Sequence, residues 1–188
     1  MKERPIIFDA ESVRAILEGR KTQTRRVIKP QPTHVDGGGH PYIDMGQPDE
    51  WDGASLCRGI RCPYGQPGDR LWVRETFALM EDVTFYAADT RLEPKQWPNG
   101  LWNVDTWCSP IHMPRWASRI TLEITGVRVE KLQEMVGSDF LAEGAPERYG
   151  SQQWCVDRWD TLNAKRGFPW SSNPWVWVVE FELVRQSL

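Results

Sequence analysis

The pattern of apolar residues near the start of the chain predicts one short helix between extended segments. Val13, Ile16 and Leu17 fall at i, i+3 and i+4 spacing, so one face of this segment can be buried. Gly19 ends the periodic stretch, as a glycine at a helix C-terminus does. The next apolar residues predict a strand over 26–29.

Alternating apolar residues predict three longer strands further along the chain. They lie in the segments RLWVRETF, ITLEITGVRVEKL and WVWVVEFELV, the first of which follows a PGD turn. Gly126 interrupts the second segment and predicts a bend or a bulge there. A further short strand is predicted over 85–87. The predicted core consists of Leu71, Val73, Ile120, Leu122, Ile124, Val127, Trp175, Trp177, Val179 and Phe181.

The remaining segments are either helical in pattern or rich in turn residues. Helical spacing predicts peripheral helices over 138–147 and 151–165. Prolines, glycines and polar residues predict two loop-rich insertions, at about 30–68 and 88–115. Strands interleaved with a few short helices predict an α+β chain, folded as a small, mostly antiparallel β-barrel with helical decoration.

Composition and charge narrow the classes of function. The 188 residues are 40% hydrophobic and 26% charged, which is typical of one globular domain over 1–188. No apolar run reaches the roughly 18 residues needed to cross a bilayer, and the start lacks a signal peptide, so we expect a cytoplasmic protein without a membrane partner. The formal net charge of -3 disfavours a protein that coats long duplex DNA.

The densest polar constellation follows the predicted first helix, in the segment GRKTQTRR. It places Lys21 three residues before Thr24, within reach across a turn. A lysine beside a hydroxyl can activate that weak nucleophile when burial or neighbouring cations lower the pKa of the amine. The alternative is a solvated basic edge, since cations are favoured near a helix C-terminus in any case. The other members, which suit substrate or phosphate binding, are Arg20, Thr22, Arg25 and Arg26.

Two glutamates are candidates to complete this site. Glu75 ends the predicted strand RLWVRETF, where a buried carboxylate needs a cationic partner such as the basic segment. Glu143 lies one helical turn after Asp139 on the predicted helix over 138–147, so both can face one pocket. Most helical carboxylates are simply exposed, which is the alternative for this pair.

The insertion over 30–68 contains two histidines and two cysteines, which suffice for a tetrahedral zinc site. Their order and spacing depart from the usual zinc patterns. We therefore predict no metal and no cofactor, and keep zinc in this insertion as the alternative. The four residues concerned are His34, His40, Cys57 and Cys62.

Four segments, taken in order, resemble the ASCH domain family. They are AILEGRKTQTRR, PGDRLWVRETF, ITLEITGVRVEKL and WVWVVEFEL, and together they span most of the chain. The family belongs to the PUA-like superfamily of small β-barrels associated with RNA. The likeness is greatest to ASCH-domain proteins carried by phages and prophages, which share the stretch CPYGQPGDRLWVRET. The most specific motif is G-R-K-T-x-T-x-R.

The resemblance implies a barrel with a cleft lined by that motif. In small bacterial members the motif belongs to an amidohydrolase that removes the acetyl group from N4-acetylcytidine. A Lys, a Thr three residues later and a Glu on a following helix form the catalytic set there. The matching residues in this chain are Lys21, Thr24 and Glu143, with Glu75 as the second choice for the glutamate. The aromatic residues predicted to stack on the base are Trp72, Tyr86 and Trp116.

Two other classes of function stay open. Other ASCH-domain proteins are reported to bind nucleic acid or to cleave RNA, and cations beside aromatic side chains suit an RNA-binding or RNA-cleaving cleft. The third class is a phage accessory protein whose cleft binds a host factor or a nucleotide without chemistry. The expected partner is a modified nucleoside or RNA, and the oligomeric state is left open.

Overall fold

A computed structural model describes residues 1–44, 57–80, 83–89, 107–147 and 150–184. The helices are α1 (Ala10–Leu17), α2 (Gly137–Ala142) and α3 (Ser151–Asn163). The strands are β1 (Glu3–Ile7), β2 (Gln23–Val27), β3 (His34–Val35), β4 (Pro41–Asp44), β5 (Cys57–Gly59), β6 (Arg70–Arg74), β7 (Phe77–Met80), β8 (Val83–Tyr86), β9 (Thr121–Lys131) and β10 (Trp175–Leu183). The predicted α+β class is confirmed. In the ranges given, no helix has the length and apolar character needed to cross a membrane.

Five strands form the main sheet, in the order β1-β6-β9-β10-β2. β1 runs parallel to β6, and the other neighbouring strands are antiparallel. β1 and β2 are therefore the two edges. The sheet curls far enough for Arg26 of β2 to reach β1, where its guanidinium donates to the Ile7 carbonyl at 2.7 Å. Among the described strand pairings, no backbone ladder joins β1 to β2.

The longest ladder joins β9 to β10 and contains a bulge. The register slips between Glu180, which pairs with Gly126, and Phe181, which pairs with Ile124. A side chain at Gly126 would collide with the Glu180 carboxylate. The bulge predicted at Gly126 is therefore confirmed, and its cause is the close approach of a neighbouring side chain.

The core lies where the alternating pattern predicts it, with two differences. Eight of the ten predicted core residues are buried, while Val127 and Trp175 are partly buried and pack against the others. Trp72, on the same strand as Leu71 and Val73, is also buried, with 8% of its surface exposed. The guanidinium groups of Arg74 and Arg115 lie 4.7 and 5.9 Å from its ring centroid, so cation–π contacts accompany its burial.

β2 begins earlier than the sequence pattern predicts. The apolar residues predict a strand over 26–29, but β2 runs from Gln23 to Val27. The first three residues of β2 are buried although they are polar. No apolar alternation marks this part of the strand. The second half of the GRKTQTRR segment, from Gln23 onward, belongs to β2 and is not a loop.

The first predicted insertion is partly ordered by backbone pairing. β3, β4 and β5 form a small antiparallel sheet within 30–68, which corrects the expectation of a segment without regular structure. β7 and β8 form a separate hairpin, and β8 covers most of the short strand predicted over 85–87. Much of the second insertion, 90–106, lies outside the described residues.

Candidate active site

Lys21 and Glu143 meet although 122 residues separate them in the chain. Glu143 caps the C-terminus of α2, and its backbone forms an isolated antiparallel bridge with Lys21, just before β2. The Lys21 amine donates to Glu143 Oε2 at 2.6 Å and to the Glu143 carbonyl oxygen at 2.8 Å. The Lys21 side chain is 4% exposed and that of Glu143 is 15% exposed. The pair is therefore a nearly buried, doubly held ion pair.

Gly144 allows the end of α2 to approach Lys21 this closely. Its φ is +94°, in the left-handed region that side chains rarely adopt. A Cβ at this position would lie 3.0 Å from Ala15 Cβ and 3.2 Å from Lys21 Cβ. The glycine thus satisfies both a backbone conformation and a steric limit beside the ion pair.

Lys21, Thr24 and Glu143 line the same cleft, which has a volume of about 590 Å³. This volume falls in the range of about 300–1,000 Å³ that is common for small-molecule sites. Thr24 comes from β2 and is buried. The segment around Phe8 and Asp9 forms one wall, and residues of α3 form another. The cleft therefore brings together the lysine, the hydroxyl and the carboxylate that the resemblance implies.

Burial of the Lys21 amine in this cleft changes its proton affinity. Burial lowers the pKa of Lys21, the Glu143 carboxylate opposes that shift, and the positive charges of Arg26 and Arg158 add to it. The net direction is below the ordinary lysine value of 10.5. A lysine that acts as a base must first be neutral, and a lowered pKa makes that form more accessible.

The Arg25 side chain binds carboxylates of the protein itself. It is 2% exposed and lies among three carboxylates. It donates to Glu130 Oε1 through Nε at 2.8 Å and through Nη2 at 2.5 Å. Asp139 Oδ2 lies 3.3 Å from Nη2 of Arg25, and Glu143 Oε1 lies 3.4 Å from its Nη1. Arg25 also lines the cleft, but these carboxylates occupy its donors, so substrate binding by Arg25 stays a prediction.

Arg26 lines the cleft next to the lysine. Its guanidinium lies 5.1 Å from the centroid of the Phe8 ring, and the Lys21 amine lies 5.8 Å from the same centroid. In the part of the chain that the structure describes, Arg26 makes no ion pair. It is the predicted substrate-binding arginine that the structure places best for that role.

Two other members of the basic motif lie outside the cleft. Arg20 donates to Glu18 Oε2 at 2.5 Å and to the Gly144 carbonyl at 2.8 Å. Thr22 is exposed, and its backbone N–H donates to the Ala142 carbonyl at 2.9 Å. Both anchor the end of α2 instead of lining the cleft.

Glu75, the second candidate glutamate, belongs to a different cluster. It is almost fully buried, and Arg119 binds its two carboxylate oxygens at 2.9 and 3.1 Å. Burial raises the pKa of Glu75, although Arg119 opposes the shift. Arg119 also contacts Asp89 at 2.7 Å. The structure therefore does not bring Glu75 to Lys21.

The three predicted stacking residues also lie outside the cleft. Trp72 is buried, with the guanidinium groups of Arg74 and Arg115 near its ring. The Tyr86 hydroxyl donates to the Ala117 carbonyl at 2.9 Å, and its ring lies under Arg119 at 3.9 Å. Trp116 is 70% exposed, on the turn Arg115–Ala117. Base stacking by these residues stays a prediction that their positions do not favour.

Sequence reasoning missed the wall formed by α3. Trp154 and Arg158 both line the cleft, and the Arg158 guanidinium lies 5.2 Å from the Trp154 ring centroid. Arg158 also binds Asp9 at 2.5 Å, which ties α3 to the start of α1. The i, i+4 spacing of these two residues marks one helix face, and that spacing was the available signal.

Cys155 also lines the cleft, but its thiol is a poor nucleophile. Burial raises the pKa of Cys155 to about 12, and the negative charge of Glu143 makes a smaller contribution in the same direction. Thiolate is the reactive form of cysteine, so a thiol with this pKa stays unreactive near neutral pH. Thr24 is therefore the better candidate for attack on a substrate.

The described residues give no geometric support to the zinc alternative. The His34 ring stacks on Tyr42 at 5.3 Å, and His40 Nδ1 lies 3.1 Å from the carboxylate of Asp36. Cys62 is half-buried, and the side chain of Cys57 lies outside the described residues. In the ranges that are described, no three His, Cys, Asp or Glu side chains converge to hold a metal.

Comparison of the chain with family models, with curated proteins and with solved structures gives no match in any of the three. Lys21, Thr24 and Glu143, which line one cleft, are therefore the residues from which a function can be inferred.

Proposed function

We propose that this protein is an amidohydrolase of the ASCH, PUA-like type that acts on an acylated pyrimidine nucleoside such as N4-acetylcytidine. The observation that carries the proposal is the Lys21–Glu143 ion pair, at 2.6 Å, in the wall of a cleft that Thr24 also lines. The curled, mostly antiparallel sheet is compatible with the small barrel of that family.

The chemistry divides into acylation and deacylation of Thr24. The Thr24 hydroxyl oxygen attacks the acetyl carbonyl carbon while the neutral Lys21 amine accepts the hydroxyl proton. Collapse of the tetrahedral intermediate breaks the C–N bond, and the protonated Lys21 delivers its proton to the departing amine of cytidine. Water then attacks the acetyl-threonine ester while Lys21 takes one of its protons. Lys21 passes that proton to the departing Thr24 oxygen, and acetic acid leaves and loses its remaining proton to solvent.

Glu143 and Arg26 assist these steps without forming covalent bonds. Glu143 orients the Lys21 amine through the contact at 2.6 Å and stabilises its charged form. Arg26 shares the Phe8 ring with Lys21 and supplies positive charge beside the oxyanion that develops on the acetyl oxygen.

The test is release of cytidine from N4-acetylcytidine by the purified protein. We expect turnover in the wild type and a loss of about a thousandfold or more in Lys21→Ala and in Thr24→Val, because each removes a reacting group. Thr24→Ser keeps a hydroxyl and is expected to retain part of the activity.

Matched controls lie on the exposed surface outside the cleft. Lys165→Ala and Thr161→Val make the same chemical changes at exposed positions that do not line the cleft, and both are expected to turn over normally. Unchanged turnover in Lys21→Ala or in Thr24→Val would rule out this mechanism.

Ion pairs between the cations of the basic motif and nearby carboxylates weigh against the RNA-binding alternative. Arg20, Lys21 and Arg25 each contact a carboxylate at 2.6 Å or less. These pairs neutralise most of the charge that a polyanion would need. A small, uncharged nucleoside fits the remaining charge distribution better.

A further inference from the structure

The Glu143 carboxylate joins two cations, and the second of them is Arg25. Lys21 binds Oε2 at 2.6 Å, and Arg25 Nη1 donates to Oε1 at 3.4 Å. The rest of the Arg25 guanidinium is fixed by Glu130 of β9 and Asp139 of α2. Both oxygens of Glu143 are therefore held, each by a different positive side chain.

We propose that Arg25 is a positioning residue, which holds the Glu143 carboxylate against Lys21 and fixes the charge around that amine. This inference rests on the proposed function, in which Lys21 is the base. It replaces the substrate-binding role that the sequence predicts for Arg25, because its donors are occupied by carboxylates.

The geometry requires an arginine for this task. A guanidinium presents several N–H donors in one rigid plane, so it can hold Glu130 and Asp139 on one side and Glu143 on another. A lysine at this position would keep the positive charge but lose the rigid, planar set of N–H donors. Contacts to three carboxylates also fix the Arg25 rotamer, and Glu143 is thereby fixed relative to β2.

The charges around Lys21 determine the expected direction of the effect. Arg25 helps to balance the negative charge of Glu143, and its removal leaves that charge to stabilise the ammonium form of Lys21. The pKa of Lys21 is therefore expected to rise when Arg25 is neutralised.

Two titratable groups of α3 near Lys21 are already paired or neutral. Arg158 is paired with Asp9 at 2.5 Å, and the Cys155 thiol is neutral. Besides Arg25, the titratable groups that line the cleft around Lys21, from β2, α3 and the ends of α1 and α2, are Asp9, Arg26, Glu143, Cys155 and Arg158.

The test compares Arg25→Gln, Arg25→Lys and Arg128→Gln. Arg128 is the matched control, because it also binds Glu130 at 3.0 Å and Asp139 at 3.2 Å but makes no contact with Glu143 among the described residues. Two readouts are followed against pH. The first is kcat and KM for N4-acetylcytidine, and the second is competitive labelling of Lys21 by acetic anhydride, measured by peptide mass spectrometry.

We expect Arg25→Gln to lower kcat by up to about a hundredfold with a smaller change in KM, since a misplaced carboxylate disturbs the reacting geometry. We also expect it to move the pH midpoint of Lys21 labelling upward. Arg25→Lys should restore that midpoint, because it restores the charge, but only part of kcat. Arg128→Gln should leave the midpoint where it is in the wild type.

Labelling of Lys21 with the same midpoint in the wild type and in Arg25→Gln would overturn the inference. Absence of hydrolysis in every protein would overturn the proposed function, while the labelling experiment would still decide the role of Arg25. If Arg25→Gln does not fold, Arg25→Gln/Glu130→Gln removes one charge of each sign and carries the same comparison.

Discussion

In the proposed mechanism, Lys21 must be neutral to accept a proton from Thr24, although its contact with Glu143 favours the charged form. Burial favours the neutral form and the Glu143 carboxylate opposes it. An amine between these two influences can serve as an acid and as a base within one catalytic cycle. The direction of its pKa therefore becomes a measurable property of the reaction.

We expect kcat/KM for N4-acetylcytidine to rise with pH along a limb whose midpoint lies below 10.5, the ordinary lysine value. The sign follows because the base works only when neutral, and a lowered pKa yields the neutral amine at lower pH. The measurement is kcat/KM across the pH range. Lys21→Arg, which stays charged, should be inactive at every pH. A profile without such a limb would contradict the assignment of Lys21 as the base.

Residue type and spacing alone did not separate the two candidate glutamates. Both Glu143 and Glu75 have a cationic partner, but the partner of Glu75 is Arg119. The choice between them depends on which elements pack together, a contact across more than a hundred residues. The resemblance favoured Glu143, and residue type alone left both open.

At the scale of elements, the site depends on how the end of α2 meets the start of β2. Thr22 and Lys21 bind the backbone of Ala142 and Glu143, and Gly144 turns the chain away immediately afterwards. The geometry of the ion pair is therefore set by backbone docking as much as by side chains. A change in this turn should disturb stability and activity together.

We expect Gly144→Ala to lower the free energy of unfolding by about 1–3 kcal/mol, because it places a side chain at positive φ and against Ala15. It should also lower hydrolysis, since the added methyl group lies beside Lys21. Gly137→Ala is the control, because its Cβ would meet no atom within 4 Å. Urea unfolding measures the first effect, and equal stability of the two variants would contradict the prediction.

At the scale of the whole molecule, the distribution of charge argues against a long polyanionic partner. The formal net charge is -3, and several cleft cations are paired with carboxylates. Arg26, Lys29 and Arg166 line the cleft and make no ion pair within the described ranges. Three such side chains are few compared with the phosphate contacts of a typical nucleic-acid-binding protein.

We therefore expect weak binding of single-stranded RNA at physiological ionic strength. The measurement is fluorescence anisotropy of a labelled RNA over a series of salt concentrations. A shallow dependence of affinity on salt would agree with few phosphate contacts. Tight binding with a steep salt dependence, reduced in Arg166→Ala, would instead favour the RNA-binding alternative.

The sequence predicted the strands with apolar alternation and failed where polar residues are buried. The alternation of Ile120, Leu122 and Ile124 located β9 correctly. The start of β2 was missed because Gln23 and Arg25 are buried in a polar network that no hydrophobic pattern records. Aromatic residues were also misplaced, since local sequence cannot tell which wall of a cleft a tryptophan joins.

Exposed sheet edges are the surfaces through which copies of a protein join into aggregates. β1 and β2 are two such edges, and the Arg26 side chain bridges them by donating to the Ile7 carbonyl. The Arg26 side chain, which lines the cleft, therefore also occupies a backbone acceptor at the edge strand β1. A shorter side chain at position 26 would free that acceptor, so we expect the residue at this position to affect solubility independently of any role in the cleft.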